Sequence, residues 1–202
     1  SRCHNIQMAK KIALNSAYGA IGNQYFRYFD VKQAEAITLG GQLSIRWVEK
    51  DVNKFMNKIL GTKNENYVVA SDTDSIYVEM APLVDKVCKD KSTQQITDFL
   101  NKVSEQKLQI VIDDSFKRLA EYVNAYDQKM IMKREVIANK GIWVAKKRYI
   151  LNLFDEEGVR YEQPKLKVMG VEAIKSSTPE ICRGKIKEAI SKDAALREKA
   201  MK

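Results

Sequence analysis

Asp72 and Asp74 stand one residue apart in the polar run Ser71-Asp72-Thr73-Asp74, between two short apolar segments. Two carboxylates on one tight turn can meet the same hard cation, and Mg²⁺ takes oxygen ligands together with substrate phosphate oxygens. Aspartate also favours turns for purely conformational reasons, so the flanking sequence matters. Here Tyr67 to Ala70 and Ser75 to Met80 read as strands, apolar enough to hold the turn rigidly. A second constellation is Lys11, Asn15, Tyr18 and Gly19. On a helix the first three fall at i, i+4 and i+7 and share a face. Lysine offers a mobile positive charge to a phosphate, Asn15 and Tyr18 add hydrogen-bonding groups, and Gly19 leaves room for close approach of a base. Such a face is equally that of a plain polar helix surface. The third constellation is basic: Lys146-Lys147-Arg148 runs into Tyr149, and Lys165 and Lys167 follow. Donors beside an aromatic ring suit phosphate and sugar contacts.

The chemistry has few other places to reside. One histidine, His4, leaves almost nothing from which to build a Ser-His-Asp triad or a multi-histidine metal centre. The three cysteines, Cys3, Cys88 and Cys182, are scattered and form no C-x-x-C pair, the pattern of reduced thiols. Any catalysis must rest on carboxylates, lysines or tyrosine. A net charge of +9 over 202 residues favours a polyanionic partner. The longest apolar runs are far too short to cross a bilayer, and nothing at the N-terminus reads as a signal peptide.

These residues need elements to position them. Asn5 to about Ala20 reads as a helix ending near Gly19 and Gly22. Ile37, Gly41, Ile45, Val48, Val52, Phe55 and Ile59 then mark a long amphipathic helix over 31–60, with Gly61 placed to stop it. The hairpin at 66–80 follows, closed by Pro82. Residues 93–126 read as helix, with Phe99, Val103, Leu108, Val111 or Ile112, Phe116, Leu119 and Val123 inward. Gln128 to Ala138, Ile142 to Phe154 and Gly158 to Glu162 read as strands, the last two joined by the turn Asp155-Glu156-Glu157-Gly158. Thr178-Pro179 starts a final helix, and the charged, alanine-rich tail from Glu188 continues it or frays. Helices and antiparallel strands in blocks give an α+β class. The expectation is one antiparallel sheet, made of the hairpin and the strands over 128–163, with the helices at 31–60 and 93–126 on one face.

Taken in order, Lys11-x-x-x-Asn15-Ser16-x-Tyr18-Gly19 and Asp72-Thr73-Asp74-Ser75 resemble motifs B and C of the family B DNA polymerases. Lys146-Lys147-Arg148-Tyr149 is similar to the family's K-K-R-Y segment. Lys165 to Glu172, running on to Ser176-Ser177-Thr178-Pro179, resembles the palm-to-thumb junction of the T-even-type phage enzymes. The stretches around Asn15 to Asn23 and Gln42 to Lys50 are also similar to those enzymes, most closely to versions from phages of marine cyanobacteria.

The resemblance implies an antiparallel palm sheet with helices on one face, plus a helical extension from the base of the fingers. Residues 1–28 would be the base-of-fingers helix, 29–182 the palm, and 183–202 the start of the thumb or a tail. Lys11 would contact the incoming deoxynucleoside triphosphate and Asn15 would line the nascent base-pair pocket. Tyr18 would reach toward the template minor groove, and Gly19 would meet the templating base. Asp74 would be the motif C ligand of a two-Mg²⁺ site, with Asp72 beside it to tune the site. Glu135 matches an acidic family position, whereas Lys133 stands where the phage pattern has aspartate, which puts a subsidiary metal role there in doubt. Lys146, Lys147, Arg148, Tyr149, Lys165 and Lys167 would track the DNA primer–template. The family's motif A, D-x-x-S-L-Y-P-S, is not in this sequence, so the remaining polymerase segments would have to supply the second essential aspartate. The implied setting is the cytoplasm of an infected bacterium. A split-polymerase subunit, a non-catalytic nucleic-acid-binding remnant and an unrelated metal-dependent phosphotransferase are the competing readings.

Overall fold

The computed structural model describes residues 2–89 and 91–199, without the side chains of 191–199. Helix α1 (Arg2–Ile21) leads through the aromatic segment Tyr25 to Phe29 into α2 (Val31–Leu60). The Asp30 side chain caps α2 by accepting from the Lys32 and Gln33 backbone N–H groups, which otherwise have no helical partner. Gly61 closes it in the left-handed conformation, φ 76°. Strands β1 (Val68–Asp72) and β2 (Ser75–Val78) form the expected hairpin, with Asp72 opposite Ser75. The short α3 (Ala81–Val87), with Pro82 in its first turn, follows.

The helix expected over 93–126 is interrupted. It comprises α4 (Thr93–Val103), one π-helical turn over Ser104–Leu108 and α5 (Gln109–Tyr122). A capping box between Ser92 and Gln95 starts it. The core gathers Val48, Val52 and Met56 of α2, Tyr67 and Val68 beside the hairpin, and Leu108, Phe116 and Leu119. Phe99, Val103 and Ile112 are half-buried as expected, but Val123 lies past the helix end and is half exposed. Of the α2 stripe, Val48 and Val52 are buried and Gly41, Ile45 and Phe55 are partly buried, whereas Ile37 and Ile59 at its two ends are exposed.

A buried polar clamp joins the two long helices. Asp51 accepts from the Ser115 hydroxyl at 2.7 Å and from the Arg118 guanidinium at 2.9 Å. A buried carboxylate is tolerated only with such partners. From α2, Asn53 and Asn57 hold the approach to the hairpin: Asn53 Oδ1 accepts from Tyr67 N at 2.8 Å and Asn57 Oδ1 from Glu65 N at 3.0 Å.

The second half forms β3 (Val136–Ala145), β4 (Arg148–Glu156) and β5 (Val159–Met169), an antiparallel meander in the order β3-β4-β5. The helix α6 (Glu180–Lys199) follows from the expected start at Thr178-Pro179. The α+β class holds, and three details of the sequence reading are corrected. Residues 128–135 are not strand; their backbone is held in part by side chains, as where Gln109 Nε2 donates to the Met132 carbonyl at 2.9 Å. The segment read as one strand over 142–154 is two, with Lys146-Lys147 as the turn between them. The strand read over 158–162 extends to Met169, and its register against β4 shifts between Leu153 and Asp155 opposite the stretch that holds Pro164, a residue that cannot donate to a ladder.

The larger correction concerns the sheet. The hairpin and the later strands do not pair; they are separate two- and three-stranded sheets. Alternation fixes which face of a strand is apolar but not which edge it shares. Here β2 and β3 face each other across an open cleft of about 950 Å³ instead of a ladder.

These packing differences are measurable. Phe116→Ala is expected to destabilise the fold by about 3–5 kcal/mol in urea unfolding, whereas Val123→Ala should change it by less than about 0.5 kcal/mol. Equal effects would show that the inward stripe continues past Tyr122.

Candidate functional site

The hairpin tip is a two-residue turn, Thr73-Asp74, with Thr73 at φ 47°. Asp72 at the end of β1 is partly buried, and its Oδ1 accepts from the Thr73 hydroxyl at 3.0 Å. Asp74 is exposed, lines the mouth of the cleft, and forms no ion pair with any described residue. The two carboxylates thus differ: one is engaged, the other is presented.

Opposite the tip lies the β3–β4 turn. Lys147 sits at its apex with φ 59°, a left-handed conformation that costs energy in a non-glycine residue. Its Nζ lies 4.0 Å from Asp72 Oδ1. The turn is supported from behind by Gly170, itself at φ 62°, where a Cβ atom would fall 2.1 Å from the Lys147 carbonyl oxygen. Arg148 Nη2 is 2.5 Å from both oxygens of Glu172. Lys146 is exposed and has no ion-pair partner among the described residues.

The two sheets meet through rings. Tyr77 of β2 contacts Trp143 of β3 and Tyr149 of β4 edge-on, with centroids 5.2 and 5.5 Å apart. Trp143 reaches this position because Gly141 has no side chain; a Cβ there would lie 2.6 Å from the indole. Burial, followed by the hydrogen bond with Tyr149, pushes the Tyr77 phenol well above the usual tyrosine value.

Further along β5 the basic candidates are tied to acids. Lys165 Nζ lies 2.7 Å from Glu156 Oε2 and Lys167 Nζ lies 2.9 Å from Glu135 Oε1 and 3.3 Å from Glu156 Oε1. The Lys165 hydrogen bond is the main cause that holds the Glu156 carboxyl down at about 2. Asp155 is fully buried at the start of the β4–β5 turn, where it pairs with Arg134 and Arg160 and accepts from Gly158 N. That makes the Asp155-Glu156-Glu157 run a structural turn.

The structure therefore brings Asp72 and Lys147 together, Tyr149 beside the hairpin, and Glu135 beside Lys167. It does not gather the α1 residues with them. Lys11, Asn15, Tyr18 and Gly19 are exposed on α1, Tyr18 bonds Thr38 of α2 at 2.9 Å, and the space around Gly19 is open. No hydrogen bond or ion pair among the described residues links them to the hairpin. Sequence reasoning missed Tyr77, Trp143, Glu156 and Glu172. Only Tyr77 gave a signal, as an aromatic residue on the outer face of an otherwise apolar strand.

No group of three or more histidine, cysteine, aspartate or glutamate residues suited to a metal is present among the described residues. The unpaired Asp74 carboxylate with Asp72 beside it is a fitting part of a Mg²⁺ shell, since that ion keeps waters and substrate oxygens as its other ligands. Among the described residues no helix is long and apolar enough to cross a membrane.

The site is thus an acidic hairpin faced by a basic turn on an α+β scaffold. The comparisons make this specific. The DNA polymerase family B profile matches residues 2–120, and the chain belongs to that family. It is 44% identical over 194 residues to the DNA-directed DNA polymerase of Escherichia phage RB69 and 40% identical over 194 residues to that of Enterobacteria phage T4, in each case over 91% of this chain and 22% of the relative. A DNA polymerase of Pyrococcus glycovorans is 27% identical over 197 residues, 95% of this chain and 20% of the relative. The chain thus spans about a fifth of the length of these relatives.

The depressed Glu156 acid has a consequence in pH. Its contribution to stability is complete above its ordinary value near 4.5 and disappears as pH falls toward about 2, where the folded-state carboxylate takes up its proton. Glu156→Gln should therefore be less stable than the parent at pH 6, and the gap in urea midpoint should close between pH 5 and pH 2. A gap independent of pH would place the stabilisation elsewhere.

Proposed function

We propose that this chain is the part of a DNA-directed DNA polymerase that carries motif B on α1, motif C at the β1–β2 tip and the duplex-holding segment at the β3–β4 turn. The observation that carries the reading is the placement of an unpaired Asp74 opposite the Lys146-Lys147 turn, in a member of family B. Asp74 is the metal-ligating carboxylate, and Asp72 tunes it. When bound there, Mg²⁺ would lower the pKa of a primer 3′-hydroxyl and neutralise the charge of a triphosphate.

The chain's own residues then have distinct tasks. Lys11, on the exposed face of α1, takes the triphosphate as a mobile point charge. Asn15, Tyr18 and Gly19 line the place of the nascent base pair, where the open space at Gly19 suits close approach. Lys146, Lys147, Arg148 and Tyr149 hold the duplex by its backbone, which positions it without reading sequence. Lys165 and Lys167 belong to the same track but are held by Glu156 and Glu135, so they contribute less to it. Lys133 replaces an acid of the phage pattern, which leaves Glu135 an auxiliary at most. The cleft between β2 and β3 has room for a further segment, and both strands have an edge unpaired among the described residues. This supports the reading that another stretch, carrying D-x-x-S-L-Y-P-S, completes the site with a second aspartate.

Two measurements test this. The chain alone is expected not to extend a primer with Mg²⁺ and deoxynucleoside triphosphates. Extension should appear when a polypeptide carrying motif A is added, and Asp74→Ala should abolish it; robust synthesis by the chain alone would overturn the division of the site. In metal-free buffer the chain should bind unrelated duplexes alike, with affinity falling steeply with salt. Lys146→Ala should flatten the slope of log K against log salt by about 0.9. A strong preference for one duplex, or an unchanged slope, would remove this turn from the track.

A further inference from the structure

The ion pair between Lys147 and Asp72 joins a residue of the duplex track to one of the motif C acids, across two sheets that share no backbone hydrogen bond. The backbone on both sides is fixed. Gly170 and the Arg148–Glu172 pair support the lysine turn, and the rings of Tyr77, Trp143 and Tyr149 hold β2 against β3 and β4. What remains free to move is the lysine side chain, which is 65% exposed. A hydrated ammonium on a flexible stem exchanges partners readily, and an exposed pair in water is held only weakly.

The charges around it are divided unevenly. Asp74 and Lys146 have no ion-pair partner among the described residues, Arg148 is committed to Glu172, and only Lys147 spans from the basic turn to the acidic one.

From this geometry we infer that Lys147 is a shared counter-ion: it neutralises Asp72 when no duplex is bound and transfers to a backbone phosphate when one docks, which leaves Asp72 free to turn toward a cation. The inference rests on the reading of the β3–β4 turn as the duplex track. Lys147 is here a positioning residue, acting on the acidic pair through its side chain. Because the coupling is a free energy between two sites, it is reciprocal. Duplex binding should favour a divalent cation at the tip, and removal of the Asp72 charge should favour the duplex.

The second arm is measurable without catalysis. Binding of a labelled duplex to the full chain is followed by fluorescence anisotropy in EDTA, with circular dichroism melting to establish that each variant is folded. Asp72→Asn should tighten binding about two- to fivefold, the scale of an exposed ion pair. The same substitution in a Lys147→Gln background should have almost no effect. Asp74→Asn, whose partner is not Lys147, should act equally in both backgrounds, and Lys147→Arg should retain the Asp72 effect. An Asp72→Asn effect of the same size with and without Lys147 would mean general electrostatics and would overturn the shared counter-ion. Failure of the underlying reading looks different: the parent chain would not bind duplex, or would bind it with no loss in Lys146→Gln and Lys147→Gln. That outcome would remove the track and the counter-ion together.

Discussion

The rest of the site depends on a contact between rings. Tyr77 stands edge-on to Trp143 and Tyr149, and these contacts join the β1–β2 hairpin to the three-stranded sheet where no hydrogen-bond ladder does. Edge-to-face aromatic pairs contribute about 0.5–1.5 kcal/mol each beyond the area they bury. They are also specific in angle, so they fix the direction in which the hairpin tip points. Where the rings meet, the sheets are joined; beyond them, the space between β2 and β3 is open.

The scaffold behind the hairpin is built differently. There α2 and α5 are locked by Asp51, Ser115 and Arg118, and Asn53 and Asn57 pass that rigidity to the chain entering β1. A buried carboxylate makes this clamp intolerant of losing a partner, since an unpaired charge in the interior is costly. One wall of the site is therefore held by directional polar bonds, and its relation to the other wall by rings and a weak ion pair. Rigidity within each wall and compliance between them are compatible with a cleft that receives another segment.

What the sequence made legible follows from which forces leave local marks. The end of α2 is written in Gly61, whose backbone freedom acts on its own neighbourhood, while the Asp30 cap at its start emerges from the structure. The hairpin is legible because Asp72-Thr73-Asp74 interrupts two apolar stretches. The β3–β4 turn is not, because Lys146-Lys147 has neither glycine, asparagine nor proline; Lys147 takes its positive φ with Gly170, distant in sequence, leaving room for its carbonyl. The π-helical turn at Ser104–Leu108 has no local signature either. At the site, the kinds of residue could be read from the chain, but the pairing could not. That Lys165 meets Glu156 depends on how β5 pairs with β4, and that Lys167 meets Glu135 brings in a residue just before β3, distant in sequence.

Charge pairing also sorts the basic residues by availability. The net charge of +9 suggests a broad cationic surface. Much of it near the site is neutralised internally: Arg134 and Arg160 by Asp155 and Asp98, Arg148 by Glu172, Lys165 and Lys167 by Glu156 and Glu135. An ion pair already satisfied in the protein must be broken or shared before its lysine can neutralise a phosphate, so it releases fewer counterions and contributes less to affinity. Asp74 and Lys146, which have no ion-pair partner among the described residues, stand on two facing turns, with Lys147 and Asp72 paired between them. Opposite charges kept apart on two walls offer a polyanion one place to be held and a cation another. A uniform basic surface would bind nucleic acid, but it would repel the divalent cation that the proposed function requires.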